Sequence, residues 1–349
     1  MDLVYNIPQL LIGLVAAAFS WRADLHVRAR QPLVLAAGSA AALPVLLKMD
    51  FFHLLRLWSF AVFVHLPLLL AIAGWTLGRG SRRARALCWA GSATLWLAAT
   101  YAFAIEPARL EVTRFELDHA GVARNVRIAV VADLQTDRIG AHERRALEAV
   151  MAARPDIILM PGDFIQARAE ERPRLARELR ALLVEIGFDA PLGVYAVRGN
   201  CDPPGWAGIF DDTVVRVLDE TTRLPLDGLT ITGLGLGASF DPRLRLARAP
   251  GDETFNVVFG HAPEFALGDV QADLLVAGHT HGGQVRLPFW GPLITFSQVP
   301  RSWAAGLTRL SGDRTLVVSR GVGMERFHAP RLRFLCRPQI VLIDVGRAG

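Results

Sequence analysis

Long uncharged apolar runs alternate with short charged connections over the first 105 residues of the chain. Each run has 17 to 21 residues, close to the roughly 20 helical residues that cross a bilayer's hydrocarbon core. The runs cover residues 3–21, 31–47, 57–77 and 86–105. We therefore predict four transmembrane helices. Buried helices of a soluble protein are the alternative, but a globular core seldom needs several such runs in succession.

After residue 105 the pattern changes to short β-rich runs separated by turns. The polar residues 106–124 predict a linker, and amphipathic segments predict helices at His142–Ala153 and Arg172–Ile186. Eight short runs predict strands, at Val126–Ala132, Asp156–Met160, Gly193–Val197, Leu229–Gly233, Phe255–Phe259, Asp273–Ala277, Thr315–Ser319 and Gln339–Asp344. Strands alternating with helices indicate an α/β domain over residues 125–349.

Composition supports two unlike parts, because 52% hydrophobic residues and a mean hydropathy of +0.31 accompany 20% charged residues. Residues 1–105 hold nine basic and three acidic residues, and the remainder holds 29 basic and 30 acidic ones. The lipid bilayer is therefore an expected partner, and nucleic acid is not, because the second part is nearly neutral. Cys88, Cys201 and Cys336 form no Cys-X-X-Cys pair, so neither a disulfide framework nor a thiolate zinc site is indicated.

Arginines predict the orientation of the helices. The first and third connections are the most basic, with Arg22, Arg28 and Arg30 in one and Arg79, Arg82, Arg83 and Arg85 in the other. The positive-inside rule places both in the cytoplasm. We therefore expect a multi-pass protein of the cell membrane with both termini, and so the α/β domain, outside the cytoplasm. Removing one helix from the count would move that domain into the cytoplasm.

Polar residues follow five of the predicted strands. They lie in the segments Asp133–Gln135, Gly162–Asp163, Gly199–Asp202, Gly260–His261 and Gly278–Gln284. Loops beyond the carboxyl ends of strands in α/β sheets can converge on one site although they are distant in sequence. Asp, Asn and His side chains suit divalent Mn, Fe or Zn. Each signal alone is more typical of a turn or a helix cap, and the ordered set favours a metal site.

This ordered set resembles the calcineurin-like metallophosphoesterases, whose pattern is Asp-X-His, Gly-Asp, Gly-Asn-His-Asp/Glu, an isolated His, and Gly-His-X-His. Gly278–Gln284 and the later Ser319–Gly323 are similar to the branch with membrane-spanning helices ahead of the phosphoesterase domain. The resemblance covers about residues 125–345 and implies an α/β/β/α sandwich behind the four-helix region.

The resemblance also implies two divalent metal ions that activate water and neutralise charge on a phosphoryl group. Asp163 would bridge both ions. The first site would be completed by Asp133, Gln135 and His281, and the second by Asn200, His261 and His279. The implied reaction is hydrolysis of a phosphoester or pyrophosphate bond, with catalytic roles for Asp163, Asn200, Cys201 and Asp202.

Two positions depart from the family pattern. Gln135 replaces a histidine, and its neutral amide oxygen is a weaker donor, so the first metal would be held less tightly. Cys201 replaces the histidine that contacts the phosphate and assists the leaving group, and a thiol is a poor substitute because it is uncharged when protonated and repels the substrate when ionised. The alternative is that Cys201 is a small, buried filler. Asp202 would brace the Asn200 loop. Asp137 and His142 could compensate, or could be a turn residue and a residue of the helix N-terminus.

The missing proton donor favours a leaving group that needs little protonation, such as a phosphate or nucleotide. Membrane attachment favours a lipid-linked substrate. UDP-2,3-diacylglucosamine, a substrate of relatives of this branch on the route to lipid A, fits this chemistry but requires a domain that faces the cytoplasm. The alternatives are a catalytically weakened receptor or scaffold that binds phosphorylated ligands on the same fold, and a four-helix transporter with a regulatory domain.

Overall fold

The computed structural model describes residues 2–22, 31–46, 50–76, 81–119, 122 and 124–346. The chain divides into two compact units. The first unit comprises Met1–Ile105 and Phe327–Arg331, and the second comprises Glu106–Arg326 and Leu332–Gly349.

Helices in the first unit lie at Asp2–Arg22, Gln31–Leu46, Phe51–Thr76 and Arg82–Ala108, the last ending in the second unit. Two of those described, Phe51–Thr76 with 26 residues and Arg82–Ala108 with 27, are long and apolar enough to cross a membrane. The prediction of four transmembrane helices is thus supported for two. The apolar helices Asp2–Ala18 and Gln31–Val45 are shorter, and helix Gln31–Leu46 reaches only about 24 Å at 1.5 Å per residue.

Polar side chains inside the first unit are paired between helices. Tyr5 donates its hydroxyl hydrogen to the carbonyl oxygen of Ala40 at 2.6 Å, and His65 Nε2 lies 2.8 Å from Asn6 Oδ1. Such pairing is expected where polar groups lie in apolar surroundings. Residues 23–30 and 77–80, which carry Arg28, Arg30 and Arg79 of the orientation argument, lie outside the described residues.

The described part of the second unit contains sixteen strands, numbered here in chain order: β1 Glu111–Asp118, β2 Val126–Val130, β3 Ile157–Met160, β4 Val194–Val197, β5 Val215–Leu218, β6 Thr222–Leu226, β7 Leu229–Gly233, β8 Arg245–Leu246, β9 Phe255–Phe259, β10 Asp269–Val270, β11 Leu274–Ala277, β12 Arg286–Leu287, β13 Gly291–Pro292, β14 Gly306–Arg309, β15 Thr315–Val318 and β16 Gln339–Gly346. Its described helices of more than five residues are Ala141–Ala152 and Arg172–Glu185.

Two six-stranded sheets form the centre of this unit. Their strand orders are β1-β16-β2-β3-β4-β5 and β14-β15-β11-β9-β7-β6. A core containing Ile128, Leu159, Val257 and Val276 lies between them. Alternate residues of the first sheet, such as Ala129 and Ile158, face the opposite way and pack against Leu147 and Leu179 of the two helices. This is the two-face burial expected of a strand whose side chains alternate.

The outer face of the second sheet is covered by shorter elements. Leu275 and Val318 pack against Phe265 of the helical turn Pro263–Leu267, and the four-residue helix Leu236–Ser239 lies in the same unit. The mixed α/β sheets agree with the predicted fold class. The fourth layer of the expected α/β/β/α sandwich consists, in the residues described, of single helical turns instead of long helices.

All eight predicted strands and both predicted helices are present, with ends that differ by at most two residues. Residues 111–118, which the polar pattern assigned to the linker, instead form edge strand β1, paired in parallel with β16 from Glu111↔Gln339 to Asp118↔Gly346. Every second residue of β1 is exposed. Because edge strands keep one face in solvent, their sequences are polar enough to look like a linker.

Strand direction explains where the polar loops lie. Strands β2, β3 and β4 are parallel neighbours, so their carboxyl ends lie at one edge of the first sheet. Strands β9 and β11 are parallel neighbours in the second sheet. The five polar segments of the sequence follow these five strands, as expected for ligand loops of α/β sheets.

Candidate metal centre

The loops after β2 and β3 lie side by side. Asp133 N–H donates to the carbonyl oxygen of Gly162 at 3.1 Å, and Gln135 N–H donates to that of Asp163 at 2.7 Å. Asp133, Gln135 and Asp163 have φ angles of 49°, 36° and 56°. Non-glycine residues rarely occupy this left-handed region, and where they do so together they often belong to functional sites.

The second sheet contributes histidines from the loops after β9 and β11. Gly278 N–H donates to the carbonyl oxygen of His261 at 2.9 Å, which holds the two loops together. His279 and His281 also have positive φ angles, 68° and 48°. His279 N–H lies 3.1 Å from both carboxylate oxygens of Asp133, so the loop after β11 meets the loop after β2.

Two glycines allow this close approach. A Cβ atom at Gly199 would lie 2.1 Å from Asp163 Oδ1, and one at Gly278 would lie 2.7 Å from Asp133 Oδ2. Neither Gly199 nor Gly278 has a positive φ angle, so these two glycines are needed for space.

The first group of predicted ligands comprises Asp133, Asp163 and His281, whose ligand atoms all lie within 4.8 Å of one another. All three side chains are buried. Both ring nitrogens of His281 and the Oε1 atom of Gln135 are buried without a hydrogen-bond partner among the described residues. A buried polar atom without a partner is costly, so these atoms need a ligand that the protein alone does not supply.

The second group is held together by the ring of His261. Its Nε2 atom lies 2.8 Å from Asn200 Oδ1, 3.2 Å from His279 Nδ1 and 3.6 Å from Asp163 Oδ2. Its Nδ1–H donates to the carbonyl oxygen of Pro161 at 2.8 Å. That bond fixes the tautomer and directs the Nε2 lone pair at the other three side chains, as is usual for histidine ligands.

Burial changes the protonation of both groups. Burial, together with the adjacent Asp163 carboxylate, raises the pKa of Asp133 well above its usual value, and burial also raises the pKa of Asp163. Burial lowers the pKa of His261 and of His279 to about 4, and it also lowers the pKa of His281 well below its ordinary value. Neutral imidazoles are the form that binds a metal. Adjacent buried carboxylates are costly unless a cation compensates them.

The residues present therefore fit divalent cations. Oxygen and imidazole donors suit borderline ions such as Mn, Fe and Zn. The buried Oε1 atom of Gln135 and the ring nitrogens of His281 lack a hydrogen-bond partner among the described residues. The second group offers an amide oxygen and two imidazoles beside the shared Asp163. The structure brings Asp133, Asp163 and His281 together in the first group and Asp163, Asn200, His261 and His279 in the second. Gln135 adjoins the first group through its backbone bond to Asp163.

Asp202 organises the loop that carries Asn200. Its carboxylate accepts hydrogen bonds of 2.8 Å from the backbone N–H groups of Asp163, Phe164 and Gly199. Burial and the nearby Asp163 charge raise the pKa of Asp202 to about 7. Asp202 thus ties the β3 loop to the β4 loop, which agrees with the bracing role predicted for it.

Cys201 lies beside the centre. Its backbone N–H donates to Asp163 Oδ1 at 2.7 Å, and its sulfur accepts from the amides of Gln135 at 3.2 Å and Gln166 at 3.3 Å. Burial and the Asp163 carboxylate raise the pKa of the Cys201 thiol above its usual range. The side chain is therefore a neutral thiol at pH 7.

Glu325 and Gln166 belong to the site and were not predicted from the sequence. Glu325 accepts from Gln135 Nε2 at 3.1 Å and from Gln166 Nε2 at 2.5 Å. Burial raises the pKa of Glu325. The segment Ser319–Gly323 had already been noted, and Glu325 lies two residues after it; a carboxylate so close to a recognised segment was the signal available in the sequence.

Asp137 and His142 lie near the centre without joining either ligand group. Asp137 Oδ1 is 3.6 Å from Arg326 Nη1, and His142 Nε2 is 3.0 Å from the carbonyl oxygen of Val322. These contacts fit the alternative in which they are a turn residue and a residue of the helix N-terminus.

Comparison with known proteins bears on this centre. Residues 126–283 match the sequence profile of the calcineurin-like phosphoesterases, and that stretch contains all seven predicted ligands. The chain is 31% identical over 210 residues to the uncharacterised metallophosphoesterase YkuE of Bacillus subtilis, an alignment that covers 55% of this chain and 68% of YkuE. The chain belongs to the calcineurin-like phosphoesterase family.

Two further relatives have more specific names. The chain is 26% identical over 203 residues to phosphodiesterase YaeI of Escherichia coli, covering 55% of this chain and 71% of YaeI. It is 24% identical over 311 residues to the UDP-2,3-diacylglucosamine pyrophosphatase LpxG of Chlamydia trachomatis, covering 68% of this chain and 90% of LpxG. As a calcineurin-like phosphoesterase, this protein is a metal-dependent hydrolase of phosphoester bonds that uses two divalent metal ions.

Proposed function

We propose that this calcineurin-like phosphoesterase is anchored in the membrane and cleaves a phosphodiester or pyrophosphate bond in a lipid-linked substrate. The observation that carries the proposal is the shared Asp163, which lies within 4.8 Å of Asp133 and His281 in one group and 3.6 Å from His261 in the other. One carboxylate common to two ligand groups is the arrangement required for a pair of ions.

The residues assigned to the first ion are Asp133, Gln135, Asp163 and His281, and those assigned to the second are Asp163, Asn200, His261 and His279. When bound, two divalent ions supply an activated water and neutralise charge on the phosphoryl oxygens. The protein holds its ligands rigidly in advance, through the backbone bonds to Asp133 and Asp202 and through the Pro161 carbonyl on His261. Such preorganisation lowers the cost of reaching the transition state.

The neutral thiol of Cys201 limits the leaving group. A thiol whose pKa is raised holds its proton too tightly to serve as a general acid at neutral pH, and it carries no positive charge to stabilise the departing oxygen. A phosphate or nucleotide anion leaves with little protonation. The geometry therefore favours pyrophosphates and activated diesters over simple alkyl esters.

Membrane attachment favours a lipid-linked phosphate. Membrane attachment is supported by the two helices long enough to cross a bilayer. A lipid-linked substrate is supported by the similarity to LpxG. UDP-2,3-diacylglucosamine combines a pyrophosphate with a nucleotide leaving group and acyl chains, so it fits both arguments. That substrate would require the catalytic domain to face the cytoplasm, contrary to the orientation expected from the arginines of the connections.

A second candidate function is a receptor or scaffold that binds phosphorylated ligands without turning them over. It is favoured by Gln135 and Cys201, which replace two histidines of the family pattern. The six other predicted ligands keep the family's residue types, which supports hydrolysis instead.

Turnover by the purified full-length protein distinguishes these functions. Bis-p-nitrophenyl phosphate, p-nitrophenyl phosphate and UDP-2,3-diacylglucosamine should be assayed with added Mn²⁺ and with a chelator. We expect metal-dependent cleavage of the diester or the pyrophosphate that is lost in Asp163→Ala. Metal binding without turnover of any of the three would favour the receptor, and a reporter fused after Gly349 would determine the side of the membrane.

A further inference from the structure

A hairpin of the second unit projects large apolar side chains into solvent. Strand β12 pairs antiparallel with β13 around the turn Pro288–Trp290; residues 286–296 are called the aromatic hairpin. Phe289 is 111% exposed and Trp290 67% exposed, and Leu287 and Leu293 at its sides are also exposed. Single exposed apolar residues are normal on protein surfaces, but a contiguous group marks an interaction site.

The base of the aromatic hairpin is fixed to the protein. Arg286 N–H donates to the carbonyl oxygen of Phe334 at 2.9 Å, and Leu293 N–H donates to that of Val285 at 3.1 Å. A Cβ atom at Gly283 would lie 2.4 Å from Pro292 Cβ, so the hairpin packs directly against the loop that carries His281. The exposed tip is therefore held on a firm base and not on a loose loop.

The backbone at the tip of the aromatic hairpin is strained. Phe289 has a φ angle of 65°, in the left-handed region that a bulky residue rarely occupies. Such strain persists where the surroundings enforce it and is concentrated at functional positions.

At its other end the aromatic hairpin reaches the metal centre, because His279 Nε2 lies 3.3 Å from the carbonyl oxygen of Phe296.

Charge and composition indicate what covers this tip. Residues 284–303 include Arg286 and Arg301 and no acidic residue. Arg301 lies over the ring of Trp290 at 5.8 Å. Tryptophan beside arginine, with apolar side chains beyond them, is the composition found where proteins enter the boundary between lipid headgroups and acyl chains.

We propose that the aromatic hairpin inserts Phe289 and Trp290 into the acyl region of the bilayer, with Arg286 and Arg301 at the level of anionic headgroups. It would thereby open the centre around His279 toward lipid, not toward bulk water. This inference rests on the membrane attachment proposed above, because the chain must be close to a bilayer for the tip to reach it.

Photocrosslinking of the full-length chain tests the proposal. p-Benzoylphenylalanine is placed at Phe289 or at Trp290, and the protein is reconstituted into liposomes of phosphatidylethanolamine and phosphatidylglycerol. The control position is Val214, an exposed apolar residue of the same unit. After irradiation, mass spectrometry should find phospholipid attached at 289 and 290 severalfold more often than at 214.

The read-out is independent of hydrolysis, so it can fail while the enzyme remains active. Flotation of the protein with the liposomes, measured in the same sample, tests attachment itself. Protein that floats without lipid adducts at 289 and 290 above the Val214 level overturns the role of the hairpin alone. Crosslinks between two protein chains would mean that the aromatic hairpin contacts a second copy of the protein and not lipid. Protein that does not float with the liposomes would overturn both membrane attachment and insertion of the hairpin.

Discussion

Glu325 fixes the orientation of the side-chain amide of Gln135. Glu325 Oε2 accepts a hydrogen bond of 3.1 Å from Gln135 Nε2, and this bond leaves Gln135 Oε1 buried without a partner. An amide whose nitrogen is held by a carboxylate can offer only its oxygen on the other side. The replacement of histidine by glutamine is therefore accompanied by a carboxylate that orients it.

Substitution of Glu325 should weaken the first metal site. In Glu325→Ala, Gln135 and Gln166 lose the carboxylate that they share and keep only the weak sulfur acceptor of Cys201, so Gln135 can rotate. We expect the affinity for the weaker of the two metal ions to fall about 10-fold to 100-fold, the usual effect of losing an outer-shell partner. Mn²⁺ titration followed by electron paramagnetic resonance measures this without relying on turnover.

Two variants make that experiment specific. Glu325→Gln keeps one acceptor oxygen and should give an intermediate affinity. Glu178→Ala removes a carboxylate of an exposed ion pair with Arg174 and should change nothing. Equal affinities in Glu325→Ala and Glu178→Ala would show that Glu325 does not orient Gln135.

Replacing Cys201 by histidine should restore proton transfer to the leaving group. Because the raised pKa of the Cys201 thiol keeps it neutral, proton transfer is missing, and such assistance is commonly worth about 10²–10⁴ in rate. In Cys201→His, kcat for simple alkyl phosphodiesters should rise more than kcat for p-nitrophenyl esters. Equal gains on both substrate types would refute the leaving-group argument.

Removal of Asp202 should destabilise the phosphoesterase unit. Asp202→Ala leaves the N–H groups of Asp163, Phe164 and Gly199 without their acceptor, at about 1–3 kcal/mol for each buried group. We expect a lower melting temperature in the full-length protein. Asp211→Ala, at an exposed carboxylate near Arg180, is the matched control; a similar shift in both variants would contradict the bracing role.

The low pKa of His261 predicts a pH dependence in the chelated protein. Its pKa falls from 6.5 to about 4 on folding, so between these values the unfolded chain binds a proton that the native chain does not. Its contribution to stability is complete above pH 6.5 and is lost as the pH falls toward 4, by at most about 3 kcal/mol. The carboxylates with raised pKa act in the opposite direction, so a comparison of variants is needed.

His261→Gln provides that comparison, because glutamine does not titrate. With chelator present, the melting temperature of the wild type should fall relative to His261→Gln as the pH is lowered from 6.5 to 4. A difference that stays constant with pH would mean that His261 titrates normally in the native state.

The sequence predicted the parts of this protein that are governed by local pattern. Buried strands such as β2 and β11 are continuous apolar runs, and the polar residues that follow them mark the edge of the sheet. Strand β1 could not be predicted, because its strand pairing with β16 is made across more than two hundred residues and its sequence is that of a half-exposed edge.

Within the site, too, the sequence predicted the residues that follow strands and missed those that depend on long-range contacts. Asp133, His261 and His279 follow strands in a recognisable order. Glu325 lies outside residues 126–283, the stretch that matches the family profile. Its role in the site rests on hydrogen bonds from the side-chain amides of Gln135 and Gln166, which approach it only in the folded chain. The aromatic hairpin was equally hidden, because exposure cannot be inferred from an apolar segment alone.

Metal content of the purified full-length protein shows whether Asp163 is shared by two metal sites. Elemental analysis after saturation with Mn²⁺ and removal of free metal should find about two ions per chain in the wild type. Asp163→Asn should bind far less, because both ligand groups share that carboxylate, whereas Asp241→Asn should match the wild type. Fewer than one ion per wild-type chain, or an unchanged content in Asp163→Asn, would contradict the account.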